Sequence, residues 1–379
     1  MNGAPTGLPA LWLAVPWALP WAMLPRLASK DPDLASAPPA MGPLVSVVVP
    51  ARNEAANIAT VLETLRRSTY QPLEILVVDD RSSDETGLIA GRIAAADDRI
   101  RVITGEEVPP GWFGKPWACQ QGYRAARGDL LLFTDADTRH HPDALTHAVG
   151  ALDREQADLV TVITGLDLVT FWERVAMPQF WVPLGFRYPP RRINQARHTR
   201  DLIANGQFIL VRRASYERAG THEAVMGDVA EDLRLAHVFH RAGLRLYAAH
   251  AERLVRTRMY TGLRQLVEGW SKNLYVGGRA SLPDEPVLRA LLPWGIMVYA
   301  LYWLVPILWL VIAPGPIPFA AFGLAAGFWA MVGRGMGIPS WYGVLHPLGA
   351  AVLLFVALRS TWRGGRRIEW RGRTYALNE

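Results

Sequence analysis

Residues 44–54 have the sequence Leu-Val-Ser-Val-Val-Val-Pro-Ala-Arg-Asn-Glu. The run over residues 44–49 is rich in β-branched side chains and ends at Pro50, which is typical of a short strand. Because the run lacks the polar alternation of a strand with one face in water, it predicts a strand buried on both faces of a sheet. The polar residues Arg52, Asn53 and Glu54 follow at the end of this strand.

Helical and strand-like patterns alternate along the chain beyond this stretch. Over residues 54–67, helical spacing places Ile58, Val61 and Leu65 on one face. Further strands are predicted at residues 74–78, 100–103, 130–133 and 159–163, and further helices from Ser83, over residues 117–126 and from Pro142. This alternation predicts an α/β fold with a mostly parallel sheet flanked by helices.

Acidic side chains follow two more of the predicted strands. Asp79 and Asp80 end the second strand, and Asp135 and Asp137 follow the fourth. In sheets of this kind, ligands bind at the carboxyl ends of the strands. The sequence therefore predicts one polar site where these residues and those after the first strand converge.

The Asp135-Ala-Asp137 pair has the chemistry of a site for Mg²⁺ or Mn²⁺. Such cations prefer carboxylate oxygens and often bridge them to substrate phosphates. An ordinary surface turn is the alternative, since Asp is common in turns. The position directly after an apolar strand favours the metal site. A cysteine zinc site and a disulfide are excluded, because Cys119 is the single cysteine.

Two further features concern nucleotide binding. Asp79 and Asp80 could hold ribose hydroxyls or a base edge, and they could equally cap the next helix. Lys115, in Gly111-Trp-Phe-Gly-Lys, could reach a diphosphate or be an ordinary exposed lysine. The sequence has no Gly-x-Gly-x-x-Gly after the first strand and no Gly-Lys-Ser/Thr loop, which argues against a dinucleotide oxidoreductase and an NTPase.

Glu231 and Asp232 open a predicted helix that continues to Gly243. Acids in a first helical turn are favoured by the helix dipole, which is a purely structural explanation. The functional alternative is a general base that accepts a proton from an acceptor hydroxyl. The residues alone leave these two interpretations open.

The composition indicates a membrane protein with a large aqueous part. Half of the 379 residues are hydrophobic, a fifth are charged, and tryptophan occurs 15 times. Four segments are apolar enough to be spanning candidates: residues 8–25, 291–313, 317–332 and 342–358. The first is followed by Arg26 and Lys30, which predicts a cytoplasmic basic end. Because it is short and contains prolines, an interfacial helix is the alternative, and the membrane topology stays open.

The net charge of +6 is concentrated near the C-terminus. Beside a long apolar segment, such a cluster favours lipid headgroups over nucleic acid as the partner. The cluster consists of Arg359, Arg363, Arg366, Arg367, Arg371 and Arg373.

Two aromatic and basic stretches, residues 171–192 and 263–275, suit a membrane interface, and tryptophan-rich core helices are the alternative.

The patterns described so far predict the domain organisation. It comprises an N-terminal membrane segment (1–30), a proline-rich linker (31–43), a catalytic domain with interfacial helices (44–285), C-terminal membrane segments (286–360) and a basic tail (361–379).

Taken together, the motifs resemble those of family 2 glycosyltransferases with the GT-A fold. The resemblance is carried in order by residues 47–54, by Val77-Val-Asp-Asp-Arg-Ser-Ser-Asp84, by Asp135-Ala-Asp137 and by Glu231-Asp232. It implies that Glu54 lies near the nucleobase, that Asp79 contacts the nucleoside and that Asp232 is the catalytic base.

The resemblance also implies the remaining site residues. Asp137 and Asp135 would bind the metal, and Glu231 would accompany Asp232 in catalysis. The nucleotide-sugar site would comprise Pro50, Ala51, Asn53, Glu54, Asp79, Asp80, Lys115 and Asp135. The loops for acceptor and donor would include Gly206, Gln207, Gln265 and Trp270.

The Gln-x-x-Arg-Trp signature of processive synthases is not intact. The chain has Gln265-Leu-Val-Glu-Gly-Trp270, which is one residue longer and lacks the arginine. Residues 110–118 and the tail Trp370-Arg-Gly-Arg-Thr-Tyr375 are more similar to bacterial membrane glycosyltransferases associated with hopanoid and carotenoid pathways. That similarity implies a lipid-like acceptor.

The expected function is therefore inverting, metal-dependent transfer of a sugar from a nucleotide-sugar, with UDP favoured by family habit, to a lipid or lipid-linked hydroxyl. The expected location is the inner (plasma) membrane, with several spans and a cytoplasmic catalytic domain. The alternatives are a polysaccharide synthase-type glycosyltransferase, a nucleotidyltransferase and a catalytically silent membrane scaffold. The sugar, the acceptor and the oligomeric state stay open.

Overall fold

The computed structural model describes residues 8–27, 31–363, 368–370 and 373–375. Lys30 and most of the predicted basic tail lie outside the described residues. The strands are β1 (Val45–Ala51), β2 (Leu73–Asp79), β3 (Ile100–Thr104), β4 (Leu130–Phe133), β5 (Thr138–His140), β6 (Leu159–Ile163), β7 (Gly165–Leu166), β8 (Ile209–Arg212), β9 (Leu246–His250), β10 (Val255–Thr257), β11 (Ile368–Trp370) and β12 (Arg373–Tyr375).

Most of the helices surround or follow the main sheet. The α-helices are α1 (Leu24–Leu27), α2 (Ile58–Arg66), α3 (Thr86–Ala94), α4 (Gly114–Ala125), α5 (Ala144–Arg154), α6 (Phe171–Arg187), α7 (Pro190–Asn194), α8 (Arg213–Arg218), α9 (Glu231–Arg241), α10 (Leu263–Ala280), α11 (Pro286–Ile312), α12 (Pro316–Gly335) and α13 (His346–Arg363). Short 3₁₀ helices occur at Leu34–Ser36, Thr199–Asp201, His222–Val225 and Ser340–Leu345, and a longer one at Leu8–Met23.

The main sheet of the described chain has the strand order β3-β2-β1-β4-β8-β6-β9. The pairs β1–β2, β2–β3, β1–β4 and β6–β9 are parallel, and β8 runs antiparallel to both β4 and β6. The predicted mostly parallel α/β sheet is therefore confirmed. A second, small sheet joins β5, β10 and β7 beside its carboxyl edge.

The apolar run that forms β1 is buried on both faces, as its sequence predicts. Val47 and Val49 belong to a core with α2 and α5, whereas Val48 faces a second core with α4 and α9. The helix after β1 begins at Ile58, four residues later than its spacing predicts. Asn53 has φ 53°, and the chain turns there before α2 begins.

The proline-rich segment over residues 31–43 packs on α5. Leu34 is fully buried in the core, the amide of Ala40 donates to the carbonyl of Thr146 at 2.9 Å, and Nδ1 of His147 lies 2.7 Å from the carbonyl oxygen of Ala37. A Cβ atom at Gly150 would lie 1.7 Å from the carbonyl oxygen of Pro38. This segment is thus a packed part of the domain.

Three helical segments among the described residues are long and apolar enough to cross a membrane: Pro286–Ile312, Pro316–Gly335 and Ser340–Arg363. They correspond to the three predicted C-terminal segments. The predicted N-terminal segment forms the 3₁₀ helix Leu8–Met23, which contains Pro16 and Pro20. It lies against these helices, because the indoles of Trp17 and Trp21 donate to the carbonyls of Tyr302 and Leu324 at 3.2 and 3.1 Å.

The two aromatic stretches form α6 and α10, which lie between the sheet and the apolar helices. Both pack against α13 in a cluster that contains Phe180, Trp270 and Leu353. The rings of Phe180 and Trp270 stack at a centroid distance of 4.6 Å. These two aromatic residues are core residues of the junction between the aqueous domain and the apolar helices.

We predict that Gly150→Ala lowers the free energy of unfolding by about 1–3 kcal/mol, because the new methyl group collides with the backbone of residue 38. Gly91→Ala on α3 is the control, since no described atom lies within 4 Å of its added Cβ. Thermal unfolding of the purified protein in detergent measures both variants. Equal unfolding temperatures for the two variants would show that residues 31–43 do not pack on α5.

Candidate active site

A cavity of about 1670 Å³ lies at the carboxyl edge of the main sheet. Its wall includes most of the predicted site residues: Pro50, Asn53, Glu54, Lys115, Asp135, Asp137, Gln207, Glu231, Asp232, Gln265 and Trp270. The convergence arises because β1 and β4 end side by side, and α4 and α9 begin beside them. The structure thus brings together residues that are up to 220 positions apart, from Pro50 to Trp270.

Ala51, Asp79, Asp80 and Gly206 are not among the described residues that line this cavity. Oδ1 of Asp79 accepts a hydrogen bond from the amide of Ser82 at 3.1 Å, at the turn that leads into α3. That contact agrees with the structural alternative, in which the acidic pair stabilises the start of the helix. The roles of these four residues in donor binding stay predictions.

The turn after β1 is fixed to the turn after β2 by hydrogen bonds. Oδ1 of Asn53 accepts from the amide of Ser83 at 2.8 Å, and the amide of Glu54 donates to the hydroxyl of Thr86 at 2.8 Å. Oε2 of Glu54 accepts from the side-chain amide of Asn57 at 2.8 Å. Asn53 and Glu54 are therefore held at the cavity wall by contacts that do not depend on a ligand.

Lys115 is the electrostatic centre of the site. Its Nζ lies 2.8 Å from Oδ1 of Asp135 and 2.7 Å from Oε1 of Glu231. Burial disfavours the charged form, but the carboxylates of Asp135, Glu231 and Asp232 outweigh it and hold the pKa of Lys115 well above its usual value. Lys115 is thus a partly buried cation paired with two carboxylates, which excludes the alternative of an ordinary exposed lysine.

Glu231 and Asp232 have different surroundings although they are adjacent. Burial raises the pKa of Glu231 to about 7, opposed by Lys115 and reinforced by Asp232 and Asp135. Oδ2 of Asp232 accepts from the amide of Gly206 at 2.9 Å, and its Oδ1 accepts from the amide of Leu233 at 2.8 Å. Glu231 is therefore the acid bound to Lys115, whereas backbone amides orient Asp232 at the cavity wall.

The backbone of Gly206 lies close to the side chains of Lys115 and Asp232. An added Cβ atom would lie 2.8 Å from Nζ of Lys115 and 3.2 Å from Oδ2 of Asp232. Although Gly206 does not line the cavity, its backbone amide therefore fixes the position of a residue that does.

A buried network beneath the site was not identified from the sequence. The hydroxyl of Thr134 lies 3.0 Å from Nε2 of His140 and donates to the carbonyl of Gln207 at 2.8 Å. The side chain of Asn205 donates to Oε1 of Gln207 at 3.1 Å. Burial lowers the pKa of His140 to about 3, so that this imidazole is neutral near neutral pH. The polar residue Thr134, directly after an apolar strand, was the one feature of the sequence that could have indicated this network.

The donor set at Asp135 and Asp137 fits a hard divalent cation that also binds substrate oxygens. Both carboxylates line the cavity, whereas Ala136 between them is buried. In the described part of the chain, no group of three or more His, Cys, Asp or Glu side chains could hold a metal by itself. Mg²⁺ is commonly held in this way, by one or two carboxylates together with the phosphates of a substrate.

The sheet topology defines an α/β fold with an acidic cavity at its carboxyl edge, and comparison with known proteins tests the resemblance inferred from the motifs. Residues 46–220 match the model of Glycosyl transferase family 2. Over these residues, which are just under half of the chain, the match confirms the resemblance inferred from the motifs.

Three curated relatives show what the chain is similar to. The 4,4'-diaponeurosporenoate glycosyltransferase of Staphylococcus haemolyticus is 26% identical over 248 residues, which are 64% of each chain. The enzyme of the same name from Staphylococcus aureus strain MRSA252 is 24% identical and covers 88% of this chain and 89% of its own. The β-monoglucosyldiacylglycerol synthase of Trichormus variabilis is 29% identical, but the match spans 51% of this chain and only 41% of that protein.

One solved structure confirms the fold over nearly the whole chain. A mannosyltransferase from Pyrobaculum calidifontis, in complex with GDP-Man and Mn²⁺, superposes with a TM-score of 0.55 and 21% identity. The match covers 93% of this chain and 96% of the mannosyltransferase. The helices that follow the sheet domain are thus included in the matched region.

We predict that Lys115→Met destabilises the protein by about 3 kcal/mol, because it leaves the buried Glu231 and the partly exposed Asp135 without their counter-charge. Adding Glu231→Gln should restore part of the loss, so that the two changes are not additive. Arg264→Met, which removes an exposed ion pair with Glu268, should have little effect. Thermal unfolding is compared for the unmodified protein, the two single variants Lys115→Met and Glu231→Gln, their double variant and Arg264→Met. Additive losses in the double variant would contradict the pairing.

Proposed function

We propose that the protein is an inverting, metal-dependent glycosyltransferase that moves a sugar from a nucleotide-sugar, with UDP as the favoured nucleotide, to the hydroxyl of a lipid-like acceptor. The observation that carries this proposal is the cavity itself. It extends from Asp137 and Asp232 at the sheet to Ile296 and Leu353 on the apolar helices α11 and α13. A polar donor and an apolar acceptor can thus meet in one continuous space.

The donor would occupy the sheet end of the cavity. Asn53 and Glu54 are held there by the turn contacts described above, and they would contact the nucleoside. Lys115 would contribute positive charge near the diphosphate. Asp79 and Asp80, which do not line the cavity, would support the nucleoside-binding part of the site. The relatives named as glycosyltransferases support this assignment of the edge.

Asp137, with Asp135, would hold Mg²⁺ or Mn²⁺. When bound, the cation would neutralise the negative charge that develops on the leaving diphosphate. The Mn²⁺ in the mannosyltransferase complex supports a divalent ion of this kind. This chain's own contribution is to keep both carboxylates at the cavity wall, with Asp135 also bound to Lys115.

Asp232 would act as the general base. Its carboxylate would accept the proton of the acceptor hydroxyl while that oxygen forms a bond to the anomeric carbon. The bond from the anomeric carbon to the diphosphate oxygen breaks in the same step, and the nucleoside diphosphate leaves with its electron pair. A single displacement of this kind inverts the configuration of the sugar. The amides of Gly206 and Leu233 fix the orientation of the carboxylate for this transfer.

The acceptor is proposed to be a lipid because the far end of the cavity is apolar and because relatives are named for transfer to a carotenoid acid and for a diacylglycerol product. The candidate membrane helices would place the enzyme in the inner membrane with several spans. A cytoplasmic catalytic domain would give the sheet end access to nucleotide-sugars. The alternatives of a polysaccharide synthase, a nucleotidyltransferase or a silent scaffold have no specific observation in their favour.

We expect Asp232→Asn to lower the transfer rate by roughly 10²–10⁴-fold while donor binding is kept, because only the proton acceptor is removed. Transfer is measured as radioactive sugar incorporated from candidate donors into extracted membrane lipids, and donor binding by calorimetry. Asp228→Asn is the control, since Asp228 also lines the cavity but contacts Arg234. Loss of donor binding together with transfer would contradict the assignment of Asp232 as base.

We expect Asp137→Ala to abolish the Mn²⁺-dependent part of UDP or GDP binding, because the cation loses a carboxylate ligand. Calorimetric titration of each nucleotide with Mn²⁺, and again with EDTA, measures this part. Asp98→Ala provides an exposed control outside the cavity. Equal nucleotide affinity with Mn²⁺ and with EDTA in the unmodified protein would exclude a metal-dependent donor site.

A further inference from the structure

The cavity is larger than a donor site requires. Ligand pockets typically have volumes of about 300–1,000 Å³, whereas this cavity measures about 1670 Å³. Beyond the carboxylates it continues between three helices of the apolar part. Its wall there consists of Leu274, Gly277 and Gly278 of α10, Leu292, Gly295, Ile296 and Tyr299 of α11, and Leu353 of α13.

The seam between α10 and α11 is packed at one glycine and open at two others. At Gly278 an added Cβ atom would lie 2.6 Å from Cδ2 of Leu292, so the two helices are in close contact there. At Gly277 and Gly295, no atom of the described residues lies within 4 Å of such a Cβ. The absence of side chains at these two positions therefore leaves space that belongs to the cavity.

Gly295 lies where the cavity reaches the outer surface of α11. It is exposed, and it follows Trp294 and precedes Val298, which belong to the exposed apolar face of this candidate membrane span. A residue that both lines the cavity and lies beside this face marks an opening directed toward lipid. The opening is thus lateral, through the side of the helical part.

Two residues of α6 that line the same cavity carry buried polar atoms without partners among the described residues. Gln179 of α6 lines the cavity and is 1% exposed, and its Oε1 has no hydrogen-bond partner among the described residues. Nε1 of Trp181, two residues further along α6, is likewise buried without a partner in the described chain, and Trp181 also lines the cavity. Buried polar atoms without hydrogen-bond partners are energetically costly. A ligand with a polar group on an apolar body would offer a partner to such atoms and would pack against the apolar wall of the cavity.

We infer that Gly277 and Gly295 form a lateral portal, through which the apolar body of the acceptor reaches the cavity from the bilayer. The two glycines then limit the size of the acceptor that can enter the cavity. This inference rests on the proposed function for the reaction that follows entry. The position of the opening stands on the geometry of the glycines and of the exposed face of α11.

The first test narrows the portal with a large side chain. Gly295→Trp should reduce sugar transfer into extracted membrane lipids by roughly a hundredfold, because the acceptor can no longer take its position. Calorimetric nucleotide binding should be unchanged, which also shows that the variant is folded. The matched control is Gly323→Trp on α12, an exposed glycine of another candidate span that also has open space at its Cβ and does not line the cavity. Equal transfer by both variants would overturn the portal.

A second test does not depend on transfer. Because Cys119 is the single cysteine and is buried, one cysteine added at Gly295 or at Gly323 can be labelled selectively. In liposomes, 1,2-dioleoyl-sn-glycerol should slow the reaction of Gly295→Cys with a bilayer-dissolved maleimide severalfold and leave Gly323→Cys unaffected. Equal rates at the two positions would contradict the portal. Protection at position 295 without any transfer by the unmodified enzyme would instead overturn the proposed function and keep the lipid opening.

Discussion

The ion pairs of Lys115 are the interaction on which the site depends. They connect the first turn of α4, the end of β4 and the first turn of α9, which lie far apart in the sequence. The carboxylates gathered at this edge repel one another, and burial increases this repulsion. A single ammonium group between Asp135 and Glu231 reduces it, so the acidic edge can exist before any cation or donor arrives.

Close packing around this ammonium group also positions the residues next to it, Gly206, Asp232 and Gln207. Gly206 allows the backbone to approach both Lys115 and Asp232, and its amide holds the carboxylate of Asp232 in place. Gln207, the next residue, is bound from below through Thr134 and Asn205. The loop before β8 is therefore hydrogen-bonded to the start of the turn after β4, in which Asp135 and Asp137 lie. Such preorganisation keeps reacting groups at useful distances without reorganisation during the reaction.

The sequence predicted those features that depend on local pattern. The strands β1, β2, β3, β4 and β6 were expected at nearly their observed bounds, since unbroken apolar runs such as residues 130–133 identify buried strands. The short strand β5 (Thr138–His140) was not expected. The delayed start of α2 was not expected, because the turn at Asn53 depends on contacts with residues after β2. The antiparallel β8, the partners of Lys115 and the opening at Gly295 depend on long-range packing, which no local pattern encodes.

The close contact between the backbone of Pro38 and Gly150 has a consequence for the distance between the candidate active site and a bilayer. Residues 31–43 pack on α5 of the sheet domain, and α10 packs with α6 and α13 where that domain meets the apolar helices. A domain attached through two packed segments would have little freedom to rise from a membrane surface or to tilt. Under the proposed function, a fixed distance between Asp232 and the lipid surface would restrict sugar transfer to acceptor hydroxyls at one depth. Acceptors would be sorted by where their hydroxyl lies as much as by the shape of their chain.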